Sequence, residues 1–445
     1  MKKYEQDMTQ GNLWKQIWKY SVPLMFTNVL QVVFNLADIA VVGQFAGSKA
    51  LGSVGSTTTL VTLFTGLLIG LGGGINVLVA QARGEKNEKK TEDTVHTAAV
   101  ISLLAGLLIS LVCIVFARPI LSAMNTKPEL LDGAVLYFRV YFLGAPAIAL
   151  YNYGNAVLSA VGDTKHPLYY LSLAGIVNVI LNLVFVIAFH MGVAGVALAS
   201  AISQCISAGL LMWTLLRAEG DYGLKLSRLR ISGSIAKKIL RIGIPSAIQY
   251  AIFQFANLFV QVGVNSFDTV IVEGTAAAAN ADGLVYEMMA AFYTAGATFI
   301  GQNYGAGKKE RILKSYFISI LYAAVLALAL GVSLVFFGRP FLRIFTNDTA
   351  VIEAGMYRLT IMGMSYWVSA FMDATLAASR GLGETTVPTV IVIMGSCVFR
   401  LIWIYTVFAF FQTITSLYLL YVFSWTITAA VEIWYFARLY KVRCA

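Results

Sequence analysis

Four polar side chains share one face of the first long apolar tract: Asn28, Gln31, Asn35 and Asp38, spaced three, four and three residues apart. Those intervals stack side chains along a single stripe of an α-helix. Amide groups can hydrogen-bond or offer carbonyl oxygens, and the carboxyl group can carry a proton or hold a cation. The stripe therefore has the chemistry of reversible cation binding. A carboxylate at bilayer depth costs at least about 2.5 to 3.5 kcal/mol, so Asp38 needs a reason to be there. Such a stripe lines either an aqueous cavity or a polar seam against another helix, and seams of this kind are ordinary in membrane bundles.

A second, matching stripe, Gln254, Asn257, Gln261 and Asn265, is spaced three, four and four residues apart, with Asp268 at its solvated outer end. Together the stripes offer two polar walls, and Asn28, Gln31, Asn35, Gln254, Asn257 and Gln261 are the cavity-lining candidates. Asn178 and Asn182 are four residues apart and share a face, where their oxygens could ligate a hard monovalent cation or serve as structural caps. Glu287 is a candidate for substrate or proton binding, or alternatively a buried partner for Arg400. Around it, Met288, Met289, Phe292 and Tyr293 could form a pliable pocket, since aromatic faces attract organic cations and thioethers adapt to varied shapes. Asp373 is a further candidate, and Glu432 lies close enough to the chain's last helix end to be interfacial. Arg400 is the one basic residue expected deep inside a helix.

Other chemistries find no support. The run Leu71-Gly-Gly-Gly-Ile-Asn lacks the strand and following Lys of a phosphate loop, and its glycines fit bending or close helix contact better. His96, His166 and His190 are scattered, and Cys113, Cys205, Cys397 and Cys444 have no paired spacing. Neither a metal centre nor a cofactor site is expected. A multipass enzyme or receptor is the alternative of another class, weakened by the missing catalytic constellations.

The positioning elements are membrane helices. Of the 445 residues, 58% are hydrophobic and only 12% charged, against about 25% charged in an ordinary soluble domain. Long uncharged tracts recur, each near the roughly 20 residues needed to cross the hydrocarbon region. Helices are expected near 18–43, 53–80, 95–117, 134–161, 167–190 and 193–217, then near 239–264, 276–303, 314–337, 353–380, 387–410 and 413–437. This gives an amino-terminal lobe over 1–217, a polar cytoplasmic linker over 218–238 and a carboxy-terminal lobe over 239–445. The first tract has no cleavage site after a short apolar segment and is expected to be a retained helix.

With both termini cytoplasmic, 24 of the 32 Lys and Arg residues fall inside and seven outside, Arg358 among the seven. That asymmetry is the positive-inside pattern. The net charge of +10 is thus a topology signal and not one for nucleic acid.

The halves repeat at an offset of about 221. Gln81-Ala-Arg-Gly pairs with Gln302-Asn-Tyr-Gly, Phe116-Ala-Arg-Pro with Phe337-Gly-Arg-Pro, and Gly162-Asp-Thr-Lys-His-Pro with Gly383-Glu-Thr-Thr-Val-Pro; Pro23 pairs with Pro245 and Asn35 with Asn257. Six helices per copy return the chain to the same side. The expected architecture is all-α, with twelve transmembrane helices in two six-helix bundles related by a pseudo-two-fold axis along the membrane normal, and substrate sites in such proteins lie between the rocking bundles.

Pro23, Asn35-Leu-Ala-Asp38, Val42-Gly43, Gln81-Ala-Arg-Gly84, Gly162-Asp-Thr-Lys, Asn178, Asn182, Gly195-Val-Ala-Leu-Ala-Ser200 and Gly301-Gln-Asn-Tyr-Gly-Ala-Gly-Lys308 occur in an order that resembles the multidrug and toxic compound extrusion family, MATE, over residues 10–440. The likeness is greatest to its bacterial MepA-like and DinF-like side. The resemblance implies a multi-pass antiporter of the bacterial cytoplasmic membrane that exports cationic organic compounds in exchange for sodium ions or protons. It also implies an amino-lobe cation cluster, whose matching positions here are Asp38, Asn178, Asn182 and Ser200. Asn182 stands where a second carboxylate is usual and Ser200 where Thr is usual, so Asp38 alone can neutralise one positive charge. The expected partners are small organic cations and the lipid bilayer, and the working unit is expected to be a monomer. A lipid-linked oligosaccharide flippase of the related superfamily is the alternative, which would call for a more cationic cavity.

Overall fold

The computed structural model describes residues 6–444, and among them there is no β-strand. Twelve long helical segments run in chain order: α1 (Leu13–Ala46), α2 (Ser48–Gly84), α3 (Glu88–Val115), α4 (Pro128–Leu143 with Ala145–Ala160), α5 (Lys165–Ala188), α6 (Gly192–Leu216), α7 (Gly233–Val264), α8 (Thr269–Gly305), α9 (Lys309–Leu342), α10 (Thr349–Gly363 with Tyr366–Gly381), α11 (Thr386–Phe411) and α12 (Ile414–Cys444). Among the described residues, nine single helices and the bent α4 pair are long and apolar enough to cross a membrane. The two others, α8 and α10, carry Glu273, Asp282, Glu287, Arg358, Asp373 and Arg380 within their length.

Two segments expected to be single helices are broken. In α4 the two pieces meet at 45° around Gly144, where Pro146 opens the second piece. Proline is tolerated at a helix start because the N–H it lacks would be unsatisfied there anyway. In α10 the interruption falls at Met364 and Ser365. A short helix, Ala117–Ala123, precedes α4.

The chain divides into two compact units. One comprises Phe26–Ala247 with Gln6 and Asp7, the other Met8–Met25 with residues 248–444. Thus α1 and α7 each change unit part-way along, just after their internal prolines Pro23 and Pro245. An interior proline removes one i→i−4 hydrogen bond, a natural place for a helix to part from its neighbours.

In the first unit the start of α7 lies close against α2. Cβ atoms added at Gly70 and Gly74 would sit 2.7 Å from the backbone of Ala247 and 3.0 Å from that of Gly243. Gly74 of the glycine run, with Gly70 one turn before it, therefore serves close helix contact, whereas Gly73 has nothing within 4 Å. The polar stretch before α7 is tied down rather than loose: Arg83 pairs with Asp221, Arg228 with Glu92 and Arg230 with Asp93. His96, inside α3, is buried and accepts the Lys225 N–H at 3.0 Å.

The second unit treats the segment before α1 in a corresponding way. Gln302 Oε1 accepts the Met8 N–H at 3.1 Å, Asn303 donates to the Met8 carbonyl at 3.2 Å, and Arg311 donates to the carbonyls of Met8, Gln10 and Gly11. The repeated Gln81 and Gln302 motifs thus close α2 and α8 at the places where the chain feeding each shared helix is held.

Candidate cation site and buried charges

Three helices of the first unit converge at Asp38. The side chain lies on α1, four residues before a wide i→i+5 turn at Val42–Ala46. From α5, the Asn182 amide donates to Asp38 Oδ1, and from α6 the Ser200 hydroxyl donates to Oδ2 at 2.9 Å. Asn182 also donates to Asn178 Oδ1 at 3.2 Å, and Asn178 donates to Ser200 Oγ at 3.4 Å. Asn178, Asn182 and Ser200 are buried, while Asp38 is half-buried. The structure therefore brings together all four residues singled out for cation coupling.

Local sequence explains the convergence. Asn178 and Asn182 are one turn apart on α5, and another i→i+5 turn follows at Val184–Ala188. Such widened turns concentrate at functional positions in helices. Gly175, a turn before Asn178, lets α1 approach, because a Cβ there would run into the Phe34 ring.

Asp38 makes no ion pair among the described residues, and its donors are neutral. The carbonyl oxygen of Asn182 is buried without a hydrogen-bond partner beside it. A carboxylate with neutral donors and a spare acceptor nearby lacks a resident counter-charge, and a proton or small monovalent cation can supply one. Elsewhere no group of three or more His, Cys, Asp or Glu side chains gathers to hold a metal among the described residues.

The cavity-lining candidates are distributed more loosely. Asn28, Gln31 and Gln254 are half-buried, and Asn35, Asn257 and Gln261 are exposed. Gln261 spends its amide on Asn265 at 2.8 Å, and Asp268 caps α8 by accepting the Ile271 N–H at 2.9 Å. Gln31 also interacts with the Tyr151 hydroxyl.

The second unit holds more charge than expected from sequence. Arg358, assigned above to the outer face, is only 5% exposed; it pairs with Asp282, which also accepts from the Tyr366 hydroxyl, and its guanidinium lies 5.2 Å over the Tyr418 ring. Arg380 donates to Gln249 at 2.7 Å and interacts electrostatically with Asp373 and Glu432. Arg400 is thus one of three interior arginines rather than the single one expected. It donates to Asn257 Oδ1 at 3.1 Å and to Ser424 Oγ at 3.4 Å, so Glu287 is not its ion-pair partner. Glu432 is not interfacial either. It is completely buried, with neither carboxyl oxygen hydrogen-bonded.

Among the other substrate candidates, Glu287 and Met288 are half-buried and Met289 and Tyr293 buried. Phe292 is fully buried, its ring 6.1 Å from Trp18 and 5.5 Å from Tyr322. Asp282 escaped the sequence reading. Its only local signal is an acid in the middle of an otherwise Ala-rich helix.

The family model MatE matches residues 23–184 and again residues 245–406. The chain belongs to the MatE family. Both matches open on the paired prolines, so the family unit is the repeat itself. Among curated proteins, this MatE chain is similar to a probable multidrug resistance protein NorM of Thermotoga maritima, 26% identical over 89% of this chain and 86% of that protein. It is also similar to the probable multidrug resistance protein YpnP of Bacillus subtilis, 28% identical over 82% and 81%. An outward-facing multidrug resistance MATE transporter of the MOP superfamily has the same fold, with a TM-score of 0.92, 22% identity and 98% of each chain covered. MatE proteins are membrane transporters and not enzymes.

Proposed function

We propose that this MatE protein is a secondary antiporter of the bacterial cytoplasmic membrane, exporting small cationic organic compounds in exchange for protons or sodium ions admitted at Asp38. The observation that carries the reading is the carboxylate of Asp38, held by Asn182 and Ser200 without a tethered cation. A charge left without a fixed partner in an apolar setting favours an exchangeable one. Its hydrogen-bond partners are on α5 and α6, so loading the ion alters the junction of α1 with both helices. With the ion bound, Asp38 has less need of the Asn182 and Ser200 donors. Exchange then requires that ion and drug each favour a different arrangement, because a ligand binding both equally shifts nothing. The positive-inside count supports cytoplasmic termini.

A flippase for an anionic lipid-linked sugar gains some support from the three interior arginines. Arg358 is already paired with Asp282, and Arg380 interacts with the carboxyl groups of Asp373 and Glu432, however, which leaves less uncompensated positive charge for such a headgroup.

Dye efflux from proteoliposomes, with sodium and proton gradients imposed separately, tests the proposal. Wild-type protein should respond to at least one gradient, and Asp38→Asn to neither while still inserting. Gradient-driven efflux by Asp38→Asn at the wild-type rate would refute it.

A further inference from the structure

The helices that meet at Asp38 have counterparts in the second unit. By the repeat, α1, α5 and α6 correspond to α7, α11 and α12, and those three converge on Arg400. The family matches start 222 residues apart and end 222 apart. In between, Gly162 and Gly383, and Pro167 and Pro388, are separated by 221. The additional residue is taken up by the i→i+5 turn Ile393–Val398 in α11, since a widened turn accommodates one residue more than a regular one. Beyond that turn Asn178 aligns with Arg400, while on α7 Asn257 aligns with Asn35 and the buried Val260 with Asp38.

The two sites are therefore built on one plan with opposite charge. In the first, a carboxylate from α1 meets neutral groups from α5 and α6 and has no ion-paired cation among the described residues. In the second, a guanidinium from α11 meets the Asn257 oxygen of α7 at 3.1 Å and the Ser424 hydroxyl of α12 at 3.4 Å, and lies 4.6 Å over the Tyr421 ring. No carboxylate reaches ion-pair distance of Arg400 among the described residues, although Asp373 interacts with it at longer range.

We infer that the Arg400 guanidinium is a tethered replacement for the exchangeable cation in the duplicated site. The second unit's helix trio is consequently held permanently in an ion-loaded arrangement, and only the first unit loads and unloads, one cation per cycle. A free cation entering beside Arg400 would face a like charge in an interior that screens it weakly. Arginine suits the role because its guanidinium stays charged under all ordinary conditions and presents several donors in fixed directions. The inference rests on the reading of Asp38 as the cation site.

Counting exchangeable cations on the purified full-length protein tests it. Sodium binding is read by radiotracer, and proton binding by potentiometric difference titration against Asp38→Asn. Wild type should hold one exchangeable cation, Asp38→Asn none, and Arg400→Lys one. The double variant Val260→Asp with Arg400→Asn, which restores the first unit's pattern, should hold two. Two cations on wild type would overturn the inference, as would a double variant that melts like wild type yet binds one. A cation retained by Asp38→Asn overturns it if Asn257→Leu then removes that cation; if Asn257→Leu leaves it bound, the assignment of Asp38 fails instead.

Discussion

Asp38 on α1 and Asn182 on α5 are 144 residues apart in sequence and joined by a direct side-chain hydrogen bond. The bond ties the helix shared between the two units to the helix that ends in a widened turn. The ion loading proposed at Asp38 would act on this junction, so the geometry that permits the junction is the first thing to test.

Gly175→Ala should uncouple it. The added methyl group meets the Phe34 ring and pushes α1 from α5, and misplacements of about 1 Å commonly cost around 100-fold in function. Transport should fall by at least about tenfold with expression and insertion retained. Gly209→Ala, where nothing lies within 4 Å of the new methyl, should transport like wild type.

The half-buried Asp282 pairs with the buried Arg358 in the second unit. Removing one partner strands the other charge, which typically costs about 3 to 5 kcal/mol. Asp282→Ala should markedly lower the melting temperature in detergent, whereas Asp282→Leu combined with Arg358→Met should recover much of the loss. A double variant no more stable than Asp282→Ala would show that the pair has no energetic coupling.

The His96 ring fixes the backbone of the stretch before α7 at Lys225. Losing a buried hydrogen-bond partner costs roughly 1 to 3 kcal/mol. In His96→Ala, trypsin should cut at Arg228 and Arg230 several-fold faster than in wild type, with cleavage elsewhere unchanged.

All four cysteines are free, and Cys205, on α6, alone among them is exposed. A membrane-permeant maleimide should label one site in native protein, lost in Cys205→Ser. Labelling of Cys113 or Cys397 before denaturation would contradict their burial.

Much of this arrangement was legible in the sequence because helical periodicity is local. The stripe ending at Asp38 and the Asn178–Asn182 spacing each declare a face, and Ser200 followed from family resemblance. What stayed hidden was compensation between distant residues. Arg358 reads as facing the outer side because a charge near the start of an apolar tract is counted with the solvent, and only the fold reveals that Asp282, 76 residues earlier, accepts from it. Glu432 reads as interfacial for the same reason, and only the fold shows it fully buried. The bend at Gly144 was missed because the apolar pattern continues through it unbroken.

Drug-driven counterflow tests the coupling proposed at Asp38. Proteoliposomes loaded with a cationic dye and given no ion gradient are diluted, and the cation movement opposite to dye exit is recorded. Wild type should move sodium or protons inward as dye leaves, and Asp38→Asn, inserted to the same level, should move none. Dye-driven cation flux of wild-type size through Asp38→Asn would contradict it.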